Sequence, residues 1–258
     1  MNDSFVSFPL SRRFTLRADA GRSARRVRLL AGTSDWRREL LDRTGSAAIA
    51  VFGTRPWRTT SPWGWPDCSP SELVDELGGT LPGISIVAAA APRQDGRARL
   101  SLLGHREGRR IVVKLGQPDD GLEVEATVLQ LLTHDPLPGI ATPAVIETGT
   151  LSRLGGVAYL ATSALGLDGQ RPALDAPLHA FESDLAERLG ALPRPPDCPA
   201  EWIPTHGDLT PWNLRRTSFG LALFDWEAAG WRPRGSDLDH YRLTCAELRR
   251  SHRRRSVR

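Results

Sequence analysis

The sequence predicts an α+β fold in two parts, a small antiparallel sheet followed by a mainly helical part. Short apolar runs that alternate with turn residues fill 84–115, which is typical of a strand meander. A segment with helical period comes next at 121–132, and beyond Ser163 the pattern changes to helices and loops. The chain has 258 residues, of which 40% are hydrophobic and 25% charged, so it is long enough for one large domain or two modest ones.

The first 80 residues differ in pattern from the rest of the chain, and we expect 1–80 to form an N-terminal extension of unknown role. A short helix is predicted at 36–43 and a buried strand at 47–52, where the run AAIAVF has no polar residue. A Pro-rich loop at 55–70 carries Trp57, Trp63 and Trp65. Three close tryptophans could form a stacking surface for a base or sugar, but we favour an irregular lid that packs on the next part of the chain.

A helix start with a specific signal comes directly after this loop. Ser69 suits the N-cap, Pro70 suits the first turn, and Glu72 completes a capping box. The helix should end near Leu77, because two glycines come directly after it.

The predicted sheet-containing part is 81–165. Its five strands are expected at 84–90, 99–103, 110–115, 144–147 and 157–162. The remaining part, 166–258, contains a predicted helix at 179–192. It also contains a block of alternating polar and apolar residues at 203–224, which predicts two short strands around a tight loop.

Charge and cysteine usage narrow the functional classes. The net charge is +4, and much of the excess arginine lies near the two ends, at 12–28 and 249–258. We interpret these ends as solvated, and a nucleic-acid-binding protein is the weaker alternative because no recognised RNA or DNA motif is present. No apolar run is long enough to predict a membrane span. The three cysteines are far apart and form no zinc motif, so we expect a cytoplasmic protein.

The segment HGDLTPWN at 206–213 carries the strongest chemical signal, and Asp225 lies twelve residues after Asn213 at the end of an apolar run. Phosphoryl transfer needs a carboxylate that holds the acceptor hydroxyl and oxygen ligands that hold magnesium on the phosphates. Asp208 would orient or deprotonate the acceptor, and Asn213 and Asp225 would hold the metal. The segment therefore predicts Mg-dependent phosphoryl transfer.

These residues resemble the aminoglycoside phosphotransferase/choline kinase family, whose members are relatives of protein kinases. The family's HGDxxxxN catalytic loop is matched at 206–213, and its metal-binding Asp in an apolar-Asp-Trp-Glu context is matched at 224–227. The resemblance implies a two-lobed protein-kinase-like fold. Its sheet lobe would be 81–165, and a shortened, mainly helical lobe with a basic tail would be 166–258.

The resemblance also implies roles for individual residues. It makes Asp208 and His206 catalytic, Asn213 and Asp225 the metal ligands, and Asp237 a structural carboxylate that braces the catalytic loop. The implied cofactors are Mg²⁺ and ATP, with GTP left open. The implied acceptor is a hydroxyl of a small molecule, and aminoglycosides, choline-like amines, sugars and amino alcohols all remain open, as does the oligomeric state.

Lys114 ends an apolar strand and is the single lysine in a chain with 34 Lys and Arg residues. The family places its phosphate-contacting lysine on such a strand, and a compact ammonium suits this role. The next helix has one apolar arc at 100° per residue, formed by Leu122, Ala126, Leu129 and Leu132. Glu125 falls inside this arc and Glu123 outside it. Because a buried carboxylate is costly without a partner, we expect Glu125 to pair with Lys114.

The segment 159–165, with Ser163 and Ala164, resembles the hinge whose backbone groups hold the nucleotide base in this family. The loop that would cover the phosphates is 92–97, and it has one glycine where relatives are often richer. Only 33 residues come after Asp225, so the acceptor site is expected to be shallow, built from the N-terminal extension, or incomplete. The alternative function is therefore a catalytically weak kinase-like protein that binds a nucleotide and a regulatory partner.

Overall fold

The computed structural model describes residues 5–10, 14–30, 36–57, 67–90, 99–165 and 171–256. Within these ranges the α-helices are α1 (Trp36–Phe52), α2 (Pro70–Thr80), α3 (Leu122–His134), α4 (Phe181–Arg188) and α5 (Ser236–Ser256), and Gly21–Leu30, Ser152–Leu154 and Trp226–Ala228 are 3-10 helices. The strands are β1 (Phe5–Ser7), β2 (Phe14–Arg17), β3 (Ile84–Ala90), β4 (Leu100–Arg106), β5 (Arg109–Gly116), β6 (Ile140–Ala141), β7 (Val145–Leu151), β8 (Val157–Ser163), β9 (Arg171–Pro172), β10 (Ile203–Thr205), β11 (Leu214–Thr217), β12 (Gly220–Leu223) and β13 (Gly230–Arg232). The predicted α+β class is confirmed.

The chain divides into two compact units. Unit 1 comprises Met1–Leu122 and Val145–Ala164, and unit 2 comprises Glu123–Ala144 and Leu165–Arg258. No helix among the described residues is both long and apolar enough to span a membrane.

Unit 1 is built on an antiparallel sheet, which has seven strands among the described residues, in the order β1-β2-β3-β4-β5-β8-β7. The five strands predicted from short apolar runs between turn residues are present as β3, β4, β5, β7 and β8. Helix α2 shares one core with the sheet, through Leu73 and Leu77. Side chains from the sheet complete this core, among them Ile86, Leu102, Val113 and Tyr159.

The segment predicted as a separate extension, 1–80, contributes β1 and β2 to this sheet. Strand β2 pairs with β3, with Phe14 opposite Ala90 and Leu16 opposite Ala88. Phe14 and Leu16 are 1% and 0% exposed, so the extension supplies core side chains as well as backbone hydrogen bonds.

The strand predicted at 47–52 is wrong, because these residues form the C-terminal end of α1. In a strand, Ile49 and Val51 would lie on the same face. In the structure Ile49 is fully buried, whereas Val51 is 62% exposed, which is the pattern of a helix. The buried face of this helix also carries a polar contact, since the Ser46 hydroxyl donates to the Arg25 carbonyl at 3.0 Å. Of the predicted lid at 55–70, residues 58–66 lie outside the described residues.

The capping box predicted at the start of α2 is confirmed. The Glu72 backbone N–H donates to the Ser69 hydroxyl oxygen at 3.2 Å, and the Ser69 N–H donates to the Glu72 carboxylate at 2.6 Å. The helix passes through the two glycines that were expected to end it and closes instead at Leu81, whose N–H donates to the Leu77 carbonyl at 2.7 Å.

Replacing the cap by Ser69→Ala is expected to lower the free energy of unfolding by about 1 kcal/mol, because one N–H of the first turn loses its acceptor. Urea denaturation of the variant measures this change. The Ser71→Ala variant is the comparison, because the Ser71 hydroxyl lies 3.1 Å from that of Ser69, so its loss removes that contact and leaves the capping bonds of Ser69 to the backbone in place. Equal stability of the wild type and Ser69→Ala would show that the cap adds nothing.

Unit 2 contains α4, α5, most of α3 and two small sheets among its described residues. Strands β6, β12, β11 and β9 form one sheet, and β10 pairs with β13 in the other. The block at 203–224, predicted as two short strands around a tight loop, contains the hairpin of β11 and β12 and, before it, strand β10 and the loop at 206–213. Strand β10 precedes the loop but pairs with β13, while β11 comes after the loop and pairs with β12. The strands at the two ends of the loop 206–213 therefore pair with different partners, and the loop is not the turn of a hairpin. Helix α4 is shorter than the predicted 179–192.

Candidate functional site

The loop at 206–213 begins where β10 ends and is shaped by a glycine. Gly207 adopts φ +81°, and a Cβ at this position would overlap the backbone carbonyl of Ala228. The residue before the loop, Thr205, donates a hydrogen bond from its hydroxyl to the Gly230 carbonyl at 2.9 Å. The loop thus lies directly against the segment that connects β12 to β13, and only a residue without a side chain allows this approach.

Asp237 anchors the start of the loop. Its Oδ2 accepts the His206 backbone N–H at 2.6 Å and its Oδ1 accepts the Gly207 N–H at 2.9 Å. Asp237 is 2% exposed and lies in the first turn of α5. A buried carboxylate that accepts two backbone N–H groups is well satisfied, so the first turn of α5 fixes the loop backbone.

His206 is fully buried, and both of its ring nitrogens are engaged. Nδ1 accepts the Asp208 backbone N–H at 3.2 Å, so Nε2 carries the hydrogen and donates it to the Phe224 carbonyl at 2.9 Å. Burial lowers the pKa of His206, which favours the same neutral form, while the carboxylate of Asp237 opposes this shift. The ring also lies 4.5 Å from that of Trp226, centroid to centroid. His206 therefore joins the loop to the residues directly after β12.

The side chains of Asp208 and Asn213 are hydrogen-bonded to each other across the loop. Asn213 Nδ2 donates to Asp208 Oδ2 at 2.9 Å and to the Asp208 carbonyl at 3.0 Å. Both amide hydrogens are thereby used, so Oδ1 is the atom of Asn213 that a cation could use. Asn213 is 5% exposed, whereas the Asp208 side chain is 41% exposed. The loop presents one carboxylate to solvent in a fixed orientation.

The other oxygen of Asp208 faces a histidine. His240 Nε2 lies 3.2 Å from Asp208 Oδ1, and the His240 side chain is 46% exposed. His240 comes from α5, three residues after Asp237, so one helical turn contacts both the backbone and the carboxylate of the loop.

Three carboxylates lie close together, two of them shortly after β12 in the chain and the third in α3. Among the described residues, Glu125, Asp225 and Glu227 each offer an oxygen, and these oxygens lie within 4.8 Å of one another. Asp225 adopts φ 68°, an unusual conformation for a residue with a side chain, and it comes directly after Phe224, whose N–H donates to the Asn213 carbonyl. Glu125 reaches the group from α3 and is 2% exposed. Hard cations such as Mg²⁺ prefer such oxygen donors, so these residues fit a magnesium ion.

The remaining predicted site residues belong to unit 1. Lys114 lies in β5 opposite Ser101 and Leu160, and its predicted pairing with Glu125 stays a prediction. Ser163 is the last residue of β8, and the Ala164 N–H donates to the Arg110 carbonyl at 3.1 Å. A backbone hydrogen bond from Ala164 to a nucleotide base would therefore use its carbonyl oxygen. The loop at 92–97 lies outside the described residues.

Sequence reasoning missed two residues of the site, Glu227 and His240. Glu227 stands two residues after Asp225 in the FDWE motif, and that spacing was the signal for a second carboxylate. His240 comes three residues after Asp237, and helical spacing would have placed both on one face. Identifying His240 as a neighbour of Asp208, however, required the contact between α5 and the loop.

Comparison with known proteins gave matches among solved structures only. No protein-family model matches the chain, and no curated protein matches it in sequence. The chain is similar to APH(2")-IIia in its complex with GDP and kanamycin, with 15% identity over 69% of this chain and 81% of that chain and a TM-score of 0.46. It is similar to an aminoglycoside-3'-phosphotransferase of type VIII, with 22% identity over 71% and 91% and a TM-score of 0.43. It is also similar to spectinomycin phosphotransferase APH(9)-Ia in complex with ADP and spectinomycin, with 11% identity over 70% and 78% and a TM-score of 0.46.

Proposed function

We propose that the chain is an ATP-dependent phosphotransferase of the aminoglycoside phosphotransferase/choline kinase type, which moves the γ-phosphate to a hydroxyl of a small molecule. One observation carries the proposal. A half-exposed carboxylate, Asp208, is held by Asn213 on a braced loop, and the chain returns through β11 and β12 to a second carboxylate at Asp225. Phosphoryl transfer requires such a separation of an acceptor-binding carboxylate from metal-binding oxygens.

Asp208 is the general base in this proposal. Among the described residues, each of its carboxylate oxygens has one hydrogen-bond partner, and a carboxylate oxygen has a second lone pair for an acceptor hydroxyl. As the hydroxyl oxygen forms its bond to the γ-phosphorus and the bond from that phosphorus to ADP breaks, Asp208 takes the hydroxyl proton. His206, which is fully buried, holds the loop in place through its bonds to the Asp208 N–H and the Phe224 carbonyl.

Asn213 Oδ1 and Asp225 would hold Mg²⁺, with Glu227 and Glu125 adjacent to Asp225. When bound, Mg²⁺ neutralises charge on the transferring phosphates. Lys114 would contact the phosphates, and the backbone at Ser163 and Ala164 would contact the base. These last three roles are inferred from the resemblance of the sequence to the family.

Asp225→Asn is expected to weaken the binding of ATP in the presence of Mg²⁺ by at least about tenfold, because one negative oxygen donor is replaced by a neutral amide. Calorimetric titration with ATP, in the presence of Mg²⁺ and of excess EDTA, measures the effect. The two proteins should bind ATP equally weakly in EDTA. Asp197→Asn is the control, since Asp197 is an exposed carboxylate in the loop after α4. A variant that keeps the wild-type response to Mg²⁺ would exclude Asp225 as a ligand.

The acceptor is found by screening aminoglycosides, amino alcohols, choline-like amines and sugars for ADP release with Mg-ATP. Mass spectrometry of the product then confirms that one phosphoryl group has been added to the acceptor. Binding of Mg-ATP without turnover of any acceptor would instead favour the alternative of a nucleotide-binding protein with a regulatory partner.

A further inference from the structure

One face of α1 is apolar and exposed to solvent. The side chains of this helix are described from Leu40 onward. Four large ones, Leu40, Leu41, Val51 and Phe52, are 56%, 43%, 62% and 66% exposed, and Ala47 is exposed beside them. At 100° per residue these five side chains fall within about 140° of the helix circumference, and we call them the apolar strip.

The opposite face of α1 packs inside unit 1. Ile49 is fully buried, and the Ser46 hydroxyl donates to the Arg25 carbonyl at 3.0 Å. A Cβ at Gly45 would overlap the Phe8 ring, so the helix lies directly against the segment after β1. A surface helix whose inner face is already packed normally exposes polar residues, and α1 instead exposes the apolar strip.

Exposed large apolar side chains are concentrated on this strip. Among the described residues, four of the nine such side chains belong to it, and the other five lie singly in different parts of the chain: Leu10, Val124, Ile146, Phe219 and Leu243. Single exposed apolar side chains are ordinary, whereas a contiguous group marks an interaction surface. The Thr44 hydroxyl, which lies within the strip, donates to the Leu40 carbonyl at 2.9 Å and so bonds the helix backbone.

Arginines lie around the strip. The Arg22 guanidinium donates to the Val51 carbonyl at 3.4 Å, which places it at the C-terminal end of α1. Arg43 in the helix and Arg55 shortly after it are also exposed. Among the side chains described between positions 20 and 57, the acidic one is Asp42, and it is 3% exposed. The surface around the strip is therefore positively charged.

The charge decides between the possible occupants of the strip. A two-fold contact with a second copy would place the same patch of both molecules together, and thus arginines against arginines. A peptide partner is usually bound in a groove between elements, whereas the strip is the outer face of a single helix. A bilayer with anionic lipids offers phosphates to the guanidinium groups and acyl chains to the apolar side chains. Trp57 suits such an interface, and its indole N–H donates to the Gly53 carbonyl at 2.8 Å, which holds the ring near the end of α1.

We propose that the apolar strip and its arginines bind the surface of an anionic lipid bilayer, with α1 lying in the plane of the interface. Val51 and Phe52 enter the acyl layer just below the headgroups, and the guanidinium groups of Arg22, Arg43 and Arg55 stay at the level of the lipid phosphates. This binding is peripheral, and it does not depend on the phosphotransferase activity proposed above.

The test measures sedimentation of the full chain with sucrose-loaded vesicles. The vesicles contain phosphatidylcholine alone, or phosphatidylcholine with about 30% phosphatidylserine. Phe52→Ser removes an apolar side chain of the strip, and Arg55→Gln removes a charge beside it. The matched controls are two exposed residues of unit 2, changed in the same way as Phe219→Ser and Arg171→Gln.

The wild type is expected to bind anionic vesicles at least about tenfold more tightly than phosphatidylcholine vesicles, and added salt should weaken the binding. Phe52→Ser should weaken binding to anionic vesicles by about tenfold, because a phenylalanine is lost from the acyl layer. Arg55→Gln should weaken it by about fivefold. Phe219→Ser and Arg171→Gln should bind as the wild type does. Thermal unfolding midpoints of all four variants should stay close to that of the wild type, because each changed side chain is exposed.

Four results would overturn the proposal. The first is a wild type that does not bind anionic vesicles. The second is unchanged binding by Phe52→Ser, which would assign the binding to basic charge alone. The third is a wild-type dimer in light scattering that Phe52→Ser converts to a monomer, which would assign the strip to a second copy. The fourth is equally tight binding of soluble polyglutamate with the same loss in Phe52→Ser, which would assign the strip to an acidic protein.

Discussion

Asp208→Asn is expected to reduce phosphoryl transfer by about 10²- to 10⁴-fold, because an amide cannot take the acceptor proton. The substitution is nearly isosteric. Its amide can turn its oxygen toward Asn213 Nδ2, and its nitrogen can then donate to His240 Nε2 when the ring carries its hydrogen on Nδ1, so both partners of the wild-type carboxylate can still be bonded. Steady-state kinetics with an acceptor from the screen measures the loss.

Binding of Mg-ATP separates this effect from a damaged fold. Asp208 acts on the acceptor, so calorimetric affinity for Mg-ATP should stay close to the wild-type value in Asp208→Asn. The thermal unfolding midpoint should also be nearly unchanged. Near-normal turnover in this variant would mean that Asp208 is not the base.

Gly207→Ala is expected to lower the free energy of unfolding by about 2–5 kcal/mol and to abolish transfer. The residue has φ +81°, and the new Cβ would overlap the Ala228 carbonyl, so the loop must move away from the segment after β12. This movement would break the bonds from Asp237 to the loop backbone and displace Asp208. A displacement of about 1 Å at a reacting group can cost roughly 10²-fold in rate.

Gly78→Ala is the matched control for that change. Gly78 lies within α2, where a Cβ would meet no other atom within 4 Å, so alanine should stabilise the chain by about 0.5–1 kcal/mol. Urea denaturation and kinetics of both variants give the comparison. Wild-type stability and activity in Gly207→Ala would show that the loop does not depend on its close approach to Ala228.

Strands β3, β4, β5, β7 and β8 of unit 1 could be predicted from the sequence because they are short apolar runs separated by turn residues. Strands β1 and β2 could not, because each has only three or four residues and is recognisable only by its partner in the sheet. The run at 47–52 was misassigned because an apolar, alanine-rich segment of six residues suits a buried strand or one side of a helix equally well.

The site was predictable where the chemistry is local. The loop motif identified Asp208 and Asn213, which lie five residues apart and are hydrogen-bonded. Helical period correctly predicted that Glu125 is buried, and it is 2% exposed. The helical period cannot predict which residues face that carboxylate. In the structure, Asp225 and Glu227 lie beside it, although they come about a hundred residues later in the chain. The contact of His240 with Asp208 depends in the same way on the packing of α5.

The central claim is that this chain transfers the γ-phosphate of Mg-ATP to a hydroxyl with Asp208 as the base. Phosphorus-31 NMR of Mg-ATP with an acceptor from the screen tests it most directly. With the wild type, the γ-phosphate signal should fall while signals of ADP and of one phosphomonoester rise together, and with Asp208→Asn all signals should stay constant over the same time. Bound but unchanged ATP with every acceptor, or equal conversion by the two proteins, would contradict the claim.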